Sequence, residues 1–328
     1  MPPPSAATRS PTGADLSLGI EIGGTKLQFG IGRPDSRDFV HFERRTIDPQ
    51  QGAAGIQDQI AQVVPPLIDR FSPVSLGLGF GGPVNAANGV IIRSHQVAGW
   101  ENFPILDWMQ RQFQRPAAVD NDCDVAALAE ARLGAGRDQR VVLYVTVGSG
   151  VGGGLVVGGN VYRGTGPAST EIGHLRPGTA AVSSAQTVEA IASGWGIAAA
   201  ARAALVPHSE AGACLLRHAE GHLDRITAQC VAQAADEGNE LALGIMRNAT
   251  NTLGWAIGQA ITLLSPQVII IGGGVAMGSD PGFWTPLREA VARYVMPILR
   301  DTYVLVPAAF GEEVVVRGAL MIAADATA

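Results

Sequence analysis

LGIEIGGTKLQFG, at residues 18–30, is the most informative stretch of the sequence. Apolar residues stand on both sides of Gly23-Gly24, which predicts two short strands joined by a glycine turn. The same pattern returns at residues 141–157, where VVLYVTV and LVV stand on either side of a second glycine-rich turn. Two halves that open with the same hairpin predict a duplicated α/β domain with a cleft between the copies.

The remaining sequence supplies further strands and helices for both halves. In the first half we predict strands at 39–47, 74–80 and 117–119, and helices at 57–71, 103–113 and 125–133. In the second half we predict helices at 187–205, 223–264, 284–299 and 316–324, and strands at 268–271 and 303–306. Apolar residues spaced by three and four indicate the helices, and short apolar runs indicate the strands.

The composition is that of a globular enzyme, and the length suffices for two domains. Of the 328 residues, 47% are hydrophobic and 16% are charged. The net charge is −6 and no Lys/Arg-rich run exists, so we expect no nucleic-acid partner. The most apolar stretch, residues 261–275, is interrupted by Ser265-Pro266 and is too short to cross a membrane, so we expect no membrane association.

The cysteines and the N-terminus indicate the compartment. Cys123, Cys214 and Cys230 are odd in number and widely spaced, which argues against a disulfide scaffold and favours the reducing cytoplasm. Residues 1–15 are rich in Pro, Ser, Ala and Thr and lack an apolar core, so we do not expect a secretory signal. We expect them to form a disordered tail.

Both glycine turns could bind phosphate, because the N–H groups of a loop without Cβ atoms can point together at an anion. The first turn offers Gly23, Gly24, Thr25 and Lys26. The second turn offers Gly148, Ser149 and Gly150. Neither turn has the spacing of the P-loop or of the dinucleotide-binding fingerprint. The alternative for each turn alone is a tight hairpin that binds no ligand.

Three acids and an amide follow the strand predicted at 117–119, in the order Asp120-Asn121-Asp122-Cys123-Asp124. Asn121 or Asp122 could cap the helix that follows. A cap does not require the whole cluster, and a carboxylate at the end of a strand can accept the proton of a substrate hydroxyl. The cluster therefore offers a candidate general base as well as a helix cap.

Three further places carry candidate binding residues. Glu171 and His174 could hydrogen-bond neighbouring hydroxyls of a sugar, although such a pair on a loop is more often surface decoration. Glu189 opens an apolar helix, where the helix dipole alone also favours an acid. The three glycines at 272–274 follow a buried strand, where bare backbone lets a flat ligand such as adenine lie close. The alternative for these glycines is a turn.

Taken in order, these motifs resemble the ROK family (repressors, open reading frames and kinases). The resemblance rests on segments 18–26, 81–84, 99–102, 121–130, 146–154, 171–174, 189–194 and 271–275, and it runs from about residue 16 to about residue 323. It implies an actin-like, hexokinase-like fold, with a small lobe at 16–120 to which 305–324 return and a large lobe at 121–304. It also implies ATP with Mg²⁺, a sugar substrate and a homodimer.

The resemblance further assigns roles by position. Asp122 would be the catalytic base, and Glu21 would serve Mg²⁺ through water. The two glycine turns would hold the phosphates. The sugar would be held by Gly82, Asn102, Asn121, Glu171, His174 and Glu189. The nucleoside would lie against Gly272, Gly273 and Gly274.

The chain departs from the family pattern in three ways. Many members carry Asp at the position of Glu21, which could instead pair with Lys26 across the hairpin. Many members have a zinc-binding cysteine cluster after the motif at 171–174, whereas residues 175–187 contain no cysteine, so we expect no zinc site. About fifteen residues precede the first strand, fewer than the DNA-binding domain of ROK repressors needs, which favours a kinase.

The expected function is therefore that of a glucokinase-like hexose kinase. Gly82 is followed by Pro83, where N-acetylmannosamine kinases tend to have Arg, which favours glucose as the acceptor. The alternatives are a fructokinase, an N-acetylhexosamine kinase, and a sugar sensor of the same fold without catalysis. A phosphate donor other than ATP also stays open.

Overall fold

The computed structural model describes residues 16–94, 96–166, 168–206 and 209–327, so the tail predicted at 1–15 lies outside the described residues. The first half contains β1 (Ser17–Ile22), β2 (Lys26–Gly32), β3 (Phe39–Thr46), α1 (Gly52–Phe71), β4 (Ser75–Phe80), β5 (Val84–Asn85), β6 (Val90–Ile91), α2 (Ile105–Phe113), β7 (Ala117–Asn121) and α3 (Asp122–Arg132). The second half contains β8 (Val141–Val147), β9 (Val151–Val157), β10 (Asn160–Val161), α4 (Val188–Ala192), α5 (Gly194–Ala204), α6 (Glu210–His218), α7 (Ala228–Asp236), α8 (Glu240–Leu264), β11 (Val268–Gly272), α9 (Thr285–Tyr294), β12 (Val304–Pro307) and α10 (Val314–Asp325).

The two halves build sheets of the same topology. The first sheet has the order β3-β2-β1-β4-β7, and the second has the order β10-β9-β8-β11-β12. In each sheet the opening hairpin and its outer neighbour pair antiparallel, and the next two strands pair parallel to the opening strand. The duplication predicted from the two glycine hairpins is confirmed.

The last helix of each half packs on the sheet of the other half. α3 contacts β8 and β9 of the second sheet, and α10 contacts β1, β2 and β4 of the first. Glycine makes both approaches close. A Cβ on Gly154 would lie 2.5 Å from the carbonyl oxygen of Cys123, and a Cβ on Gly77 would lie 1.8 Å from that of Ala319. Because α3 and α10 also contact each other, the two halves share a layer of helix.

One lobe boundary, the point at which the chain returns to the first lobe, lies later in the sequence than expected. The sequence placed the return to the first lobe at residue 305, but β12 pairs with β11 and belongs to the second sheet. Only α10 lies on the first sheet. The strand stays in the second half because residues 304–307 continue the parallel register of that sheet.

Two long helices predicted for the second half are each divided in the structure. The helix predicted at 187–205 is broken at Ser193, whose hydroxyl accepts a hydrogen bond from the N–H of Gly196 (3.1 Å) and caps α5. The helix predicted at 223–264 is broken at Gly238, which has a φ of 82°. Such a φ ends an α-helix, and glycine adopts it at no steric cost.

Other helices differ at their ends. α3 begins at Asp122 and not at 125, because Asn121 supplies the cap. The helix predicted at 284–299 ends at Tyr294, since Val295 is extended. α6 was not predicted at all. Within the described ranges, no helix has both the length and the apolar character that crossing a membrane requires.

Each half has an apolar core beneath its sheet. In the first half the ring of the fully buried Trp100 packs edge-on against Phe80, with centroids 5.5 Å apart. Phe80 is the last residue of β4, so this contact fixes the point where the chain leaves the sheet. In the second half Leu253 and Ile257 of α8 and Ile269 of β11 are fully buried in one cluster.

Candidate active site

The parallel strands β1, β4 and β7 end at one edge of the first sheet. Ile22 pairs with Phe80, and Phe80 pairs with Asn121, so the residues that follow these strands lie side by side. They are the first glycine turn, the loop at 81–82 and the start of α3. Ligands of parallel sheets bind at this edge. The structure thus brings together groups that the sequence carries in three separate motifs.

Asn121 connects two of these groups. Its Oδ1 accepts a hydrogen bond from the N–H of Cys123 (2.8 Å), so Asn121 is the N-cap of α3. Its Nδ2 donates to the carbonyl oxygen of Gly82 (3.0 Å). The cap that the sequence left open between Asn121 and Asp122 therefore belongs to Asn121. The role predicted for Asn121 and Gly82 in holding the sugar stays a prediction.

Asp122 is the first residue of α3, and its carboxylate lies beside the loop that follows β4. Its Oδ1 accepts a hydrogen bond from the N–H of Cys123 (2.8 Å). Its Oδ2 would lie 3.5 Å from a Cβ on Gly81. Burial raises the pKa of Asp122, and hydrogen bonds from Cys123 oppose the shift. A raised pKa makes a carboxylate a stronger base toward the proton of a hydroxyl.

Glu21 is the buried penultimate residue of β1. Its Oε1 lies 3.2 Å from Nζ of Lys26. Its Oε2 accepts a hydrogen bond from the side-chain amide of Gln28 (2.7 Å), in the amide orientation that satisfies the neighbours of Gln28. Burial raises the pKa of Glu21 to about 7, Lys26 lowers it and Asp122 raises it further. The pairing with Lys26 that the sequence allowed is therefore present.

The donor set around Glu21 is compatible with Mg²⁺. Among the residues that the structure describes, each oxygen of the Glu21 carboxylate has one partner, and a carboxylate oxygen can accept a second hydrogen bond. Mg²⁺ keeps several of its waters and needs only one or two carboxylates besides phosphate oxygens. A buried carboxylate with a raised pKa also gains from a nearby cation. The group fits an ion that Glu21 contacts through water.

The second glycine turn is held by Glu189. Oε2 of Glu189 accepts a hydrogen bond from the N–H of Val151 (2.9 Å) and would lie 2.6 Å from a Cβ on Gly150. The carbonyl oxygen of Gly148 accepts a hydrogen bond from the N–H of Gly194 (2.8 Å), which joins the turn to the start of α5. A Cβ on Gly148 would meet nothing within 4 Å. Glu189 therefore contacts the backbone of the turn, and its contact with sugar stays a prediction.

The glycines at 272–274 place the end of β11 against β8. Gly273 has a φ of 89°, and a Cβ there would lie 2.5 Å from the carbonyl carbon of Val147. A Cβ on Gly272 would lie 2.3 Å from the hydroxyl of Tyr144. A Cβ on Gly274 would meet nothing within 4 Å. The first two glycines are thus required by packing, while Gly274 presents bare backbone beside the second turn.

Asn102 is connected to the loop that carries Gly82. The N–H of Ile92 donates to the carbonyl oxygen of Pro83 (3.0 Å). The N–H of Asn102 donates to the carbonyl oxygen of Ile92 (3.0 Å). Asn102 has a φ of 52° and is exposed. Two backbone hydrogen bonds therefore separate Asn102 from the loop, and its contact with sugar stays a prediction.

Glu171 and His174 lie at the two ends of a single helical turn, and both are exposed. A Cβ on Gly173 would lie 2.0 Å from the carbonyl oxygen of Val151, so this turn packs closely on β9. The charge of Glu171 raises the pKa of Asp124, which places Glu171 near the start of α3. The roles of Glu171 and His174 in holding the sugar stay predictions.

Asp120 and Asp124 are two buried acids for which the sequence predicted no role of their own. Asp120 is buried and accepts hydrogen bonds from Nε (2.9 Å) and Nη2 of Arg163. Asp124 is also buried, and no donor among the described residues reaches its Oδ1. Burial raises the pKa of Asp124 to about 8, Asp120 adds to the shift and Arg163 opposes it. The three acids at 120–124 were visible in the sequence and could have indicated the roles of Asp120 and Asp124. Nothing in the sequence pointed to Arg163.

Comparison with known proteins finds sugar kinases among the relatives of this chain. The sequence model of the ROK family matches residues 17–326. A glucokinase from Halalkalibacterium halodurans is 31% identical over 294 residues, 87% of each chain. An N-acetylmannosamine kinase from Escherichia coli is 30% identical over 269 residues, 80% of this chain and 84% of the relative.

A solved structure shows the same fold. It is a ROK family glucokinase from Streptomyces griseus in complex with glucose and AMPPNP. It superposes with a TM-score of 0.80 at 26% identity, over 94% of this chain and 99% of that chain. The fold of an actin-like, hexokinase-like kinase predicted from the sequence is confirmed.

Proposed function

This chain belongs to the ROK family, and we propose that it is a kinase that transfers the γ-phosphate of ATP to glucose. The observation that carries the proposal is the position of Asp122. Its half-buried carboxylate lies at the start of α3, beside the loop at 81–82 and next to the turn at 23–26. A base beside a glycine turn is what transfer of a phosphoryl group to a hydroxyl requires.

Asp122 acts as the general base. One oxygen is held by the N–H of Cys123, and the other lies toward Gly81, where the reacting hydroxyl of the sugar would be placed. Burial raises the pKa of the carboxyl group, which strengthens it as a base. Asn121 fixes the direction of α3 and thereby the direction of the Asp122 side chain.

The two glycine turns bind the phosphates. Lys26 supplies a positive charge in the first turn, and Gly148 supplies an open backbone position in the second. The charge that Mg²⁺ would supply when bound would offset the negative charge of the phosphate oxygens. Glu21 serves the ion through water. Gly274, next to the second turn, gives the nucleoside a surface without a side chain.

The acceptor is glucose in preference to an N-acetylated hexosamine. The first relative reported above carries the name glucokinase, and the solved structure holds glucose. The second candidate is N-acetylmannosamine, which the name of the other relative favours. The third candidate is a sugar sensor without catalysis, and a measurement of turnover distinguishes it from the two kinases.

An assay of ADP production with a panel of sugars tests the proposal. The panel contains glucose, fructose, mannose, N-acetylglucosamine and N-acetylmannosamine, each with ATP and Mg²⁺. We expect the highest kcat/KM with glucose. A higher kcat/KM with N-acetylmannosamine would move the assignment to the second candidate, and binding of glucose without turnover would make the chain a sensor. ATP is compared with other phosphate donors in the same assay.

We further propose that the enzyme works in the cytoplasm as a homodimer. The thiols of Cys123, Cys214 and Cys230 are all free, which is the state expected in a reducing compartment. The dimer is proposed from the family resemblance. Light scattering on the purified chain tests it, and a mass of one chain would contradict it.

A further inference from the structure

Three metal-binding side chains meet on the helical side of the second half, outside the candidate active site. Cys214 and His218 lie four residues apart on α6, and residues at that spacing share one face of a helix. Glu237 follows the last residue of α7, which packs against α6. The ligand atoms of the three residues all lie within 4.8 Å of one another. The three side chains together are here named the Cys-His-Glu cluster.

The distances within the cluster suit a single ion. Sγ of Cys214 lies 3.5 Å from Oε2 of Glu237, and Nε2 of His218 lies 3.0 Å from Oε1. Zinc binds sulfur at about 2.3 Å and nitrogen at about 2.0 Å, so the ligand atoms of one tetrahedral ion lie roughly 3.3 to 3.8 Å apart. The observed separations are within a few tenths of an ångström of that range for these two pairs.

Nε2 of His218 is the atom that points most clearly to a ligand. It is buried, and among the described residues none makes a hydrogen bond with it. The Glu237 carboxylate is 3.0 Å away but lacks the alignment that a hydrogen bond requires. A buried polar atom without a hydrogen bond is uncommon and calls for an explanation. An ion between His218, Cys214 and Glu237 would satisfy it.

We propose that Cys214, His218 and Glu237 bind one zinc ion, with a water at the fourth position. The Cys214 thiol, which now donates to Oε2 of Glu237, would lose its proton to solvent and bind as the thiolate. Thiolate and carboxylate each carry one negative charge, so they neutralise the two positive charges of the ion. Sulfur, nitrogen and oxygen ligands in a tetrahedral site are those that zinc prefers.

The backbone of the cluster needs no rearrangement. Leu215 of α6 and Ala234 of α7 are fully buried in the same core, so both helices are already fixed. An ion held by both helices stabilises their contact. The expectation that the chain has no zinc site rested on residues 175–187 alone. The proposed site departs from that expectation in a different part of the fold.

Arg217 competes with the ion. Its Nη1 lies 3.2 Å from Oε2 of Glu237, and both side chains are largely exposed. Exposed ion pairs of this kind are weak, so Arg217 is a weak competitor for the Glu237 carboxylate. Arg217→Gln removes the competing charge and should tighten zinc binding. This variant keeps all three ligands and changes no residue of the candidate active site.

Titration of the reduced, metal-free full chain with Zn²⁺ against a chromophoric chelator tests the proposal. We expect one ion per chain. Zinc affinity should fall at least about tenfold in Cys214→Ser and in Glu237→Gln, because replacing even a residue that only supports a ligand lowers metal affinity by that factor. Cys230→Ser is the matched control, because that thiol contacts the carbonyl oxygen of His218 but lies outside the cluster. It should bind zinc like the unsubstituted chain.

Two further measurements keep the proposal testable if a variant fails to fold. With Co²⁺ in place of zinc, the unsubstituted chain should show a thiolate-to-metal charge-transfer band. In the same chain, zinc should protect Cys214 from alkylation, as located by peptide mass, and leave the alkylation of Cys230 unchanged. The proposal would be overturned if the zinc affinity of Cys214→Ser is within about twofold of that of the unsubstituted chain. It would also be overturned if zinc does not slow the alkylation of Cys214.

Discussion

Nζ of Lys26 lies 3.2 Å from Oε1 of Glu21, across the turn that joins β1 to β2. Lys26 also donates to the carbonyl oxygen of Glu312 (3.2 Å), just before α10. The first glycine turn is thereby attached to the helix that returns from the second half. The pair also puts one positive and one negative charge where the phosphates of ATP are proposed to bind. Glu21 therefore either only positions Lys26 or also serves the metal.

Glu21→Gln should raise the Mg²⁺ concentration needed for half-maximal rate and lower kcat, with the KM for sugar little changed. Glutamine keeps the size of the side chain but removes the negative charge that attracts the hydrated ion. The rate is measured over a range of Mg²⁺ concentrations at saturating sugar and ATP. If the Mg²⁺ dependence of Glu21→Gln overlays that of the unsubstituted enzyme, the metal role is wrong.

Lys26→Met is the matched control for that variant. It breaks the same ion pair but leaves the Glu21 carboxylate in place. Because Lys26 lowers the pKa of Glu21, the control is measured at a pH well above 7, where Glu21 stays ionised. Removing the positive charge should then raise the KM for ATP and should not raise the Mg²⁺ requirement. If both variants raise the Mg²⁺ requirement alike, the effect comes from the broken ion pair and not from a lost metal contact.

Gly148→Ala and Gly152→Ala separate the two interpretations of the second glycine turn. A Cβ on Gly148 meets nothing within 4 Å, so the methyl group should leave stability unchanged and raise the KM for ATP, because it intrudes on the phosphates. A Cβ on Gly152 would lie 2.5 Å from Sγ of Cys123, so that variant should lose about 1–3 kcal/mol of unfolding free energy. If Gly148→Ala has the same KM for ATP as the unsubstituted enzyme, the second turn is a tight hairpin that does not bind phosphate.

Asp124→Asn should stabilise the protein at alkaline pH. The pKa of Asp124 is raised to about 8 by burial, so between about pH 4 and about pH 8 the folded chain keeps a proton that the unfolded chain has lost. The free energy of unfolding therefore falls as pH rises through this range. Asparagine cannot ionise, so the variant escapes this loss.

Denaturant unfolding of Asp124→Asn and of the unsubstituted chain at about pH 5 and about pH 9 measures the effect. The difference in unfolding free energy should shift in favour of the variant at the higher pH. Asp120→Asn is the comparison, since it removes a carboxylate that pairs with Arg163 and should destabilise the chain at both values. An equal effect of Asp124→Asn at both pH values would show that Asp124 of the folded chain is already ionised at the lower pH.

Much of this architecture could be predicted because its signals are local. Gly23-Gly24 and the turn after Val147 mark the two hairpins, and the duplication follows from them. The exchange of α3 and α10 agrees with the lobes that the family resemblance implied, but no local pattern shows it, since it depends on glycines such as Gly77 and Gly154 that permit contacts between distant segments. A local pattern also cannot tell a continuous helix from two helices that Ser193 separates.

The site was predictable in part for the same reason. Asp122 and Asn121 stand next to each other in the sequence, but only the structure divides their roles, because the cap depends on which side chain reaches the N–H of Cys123 and the carbonyl oxygen of Gly82. Arg163 reaches Asp120 from more than forty residues away, and the sequence contains no signal for that pair.

The turnover of Asp122→Asn tests the central claim most directly. Asparagine preserves the shape of the side chain but cannot take the proton of the sugar hydroxyl. We expect kcat to fall by about 10²–10⁴-fold, the usual effect of losing a general base, while the Kd for glucose measured by calorimetry changes little. A kcat within about tenfold of the unsubstituted enzyme would contradict the assignment of Asp122 as the base.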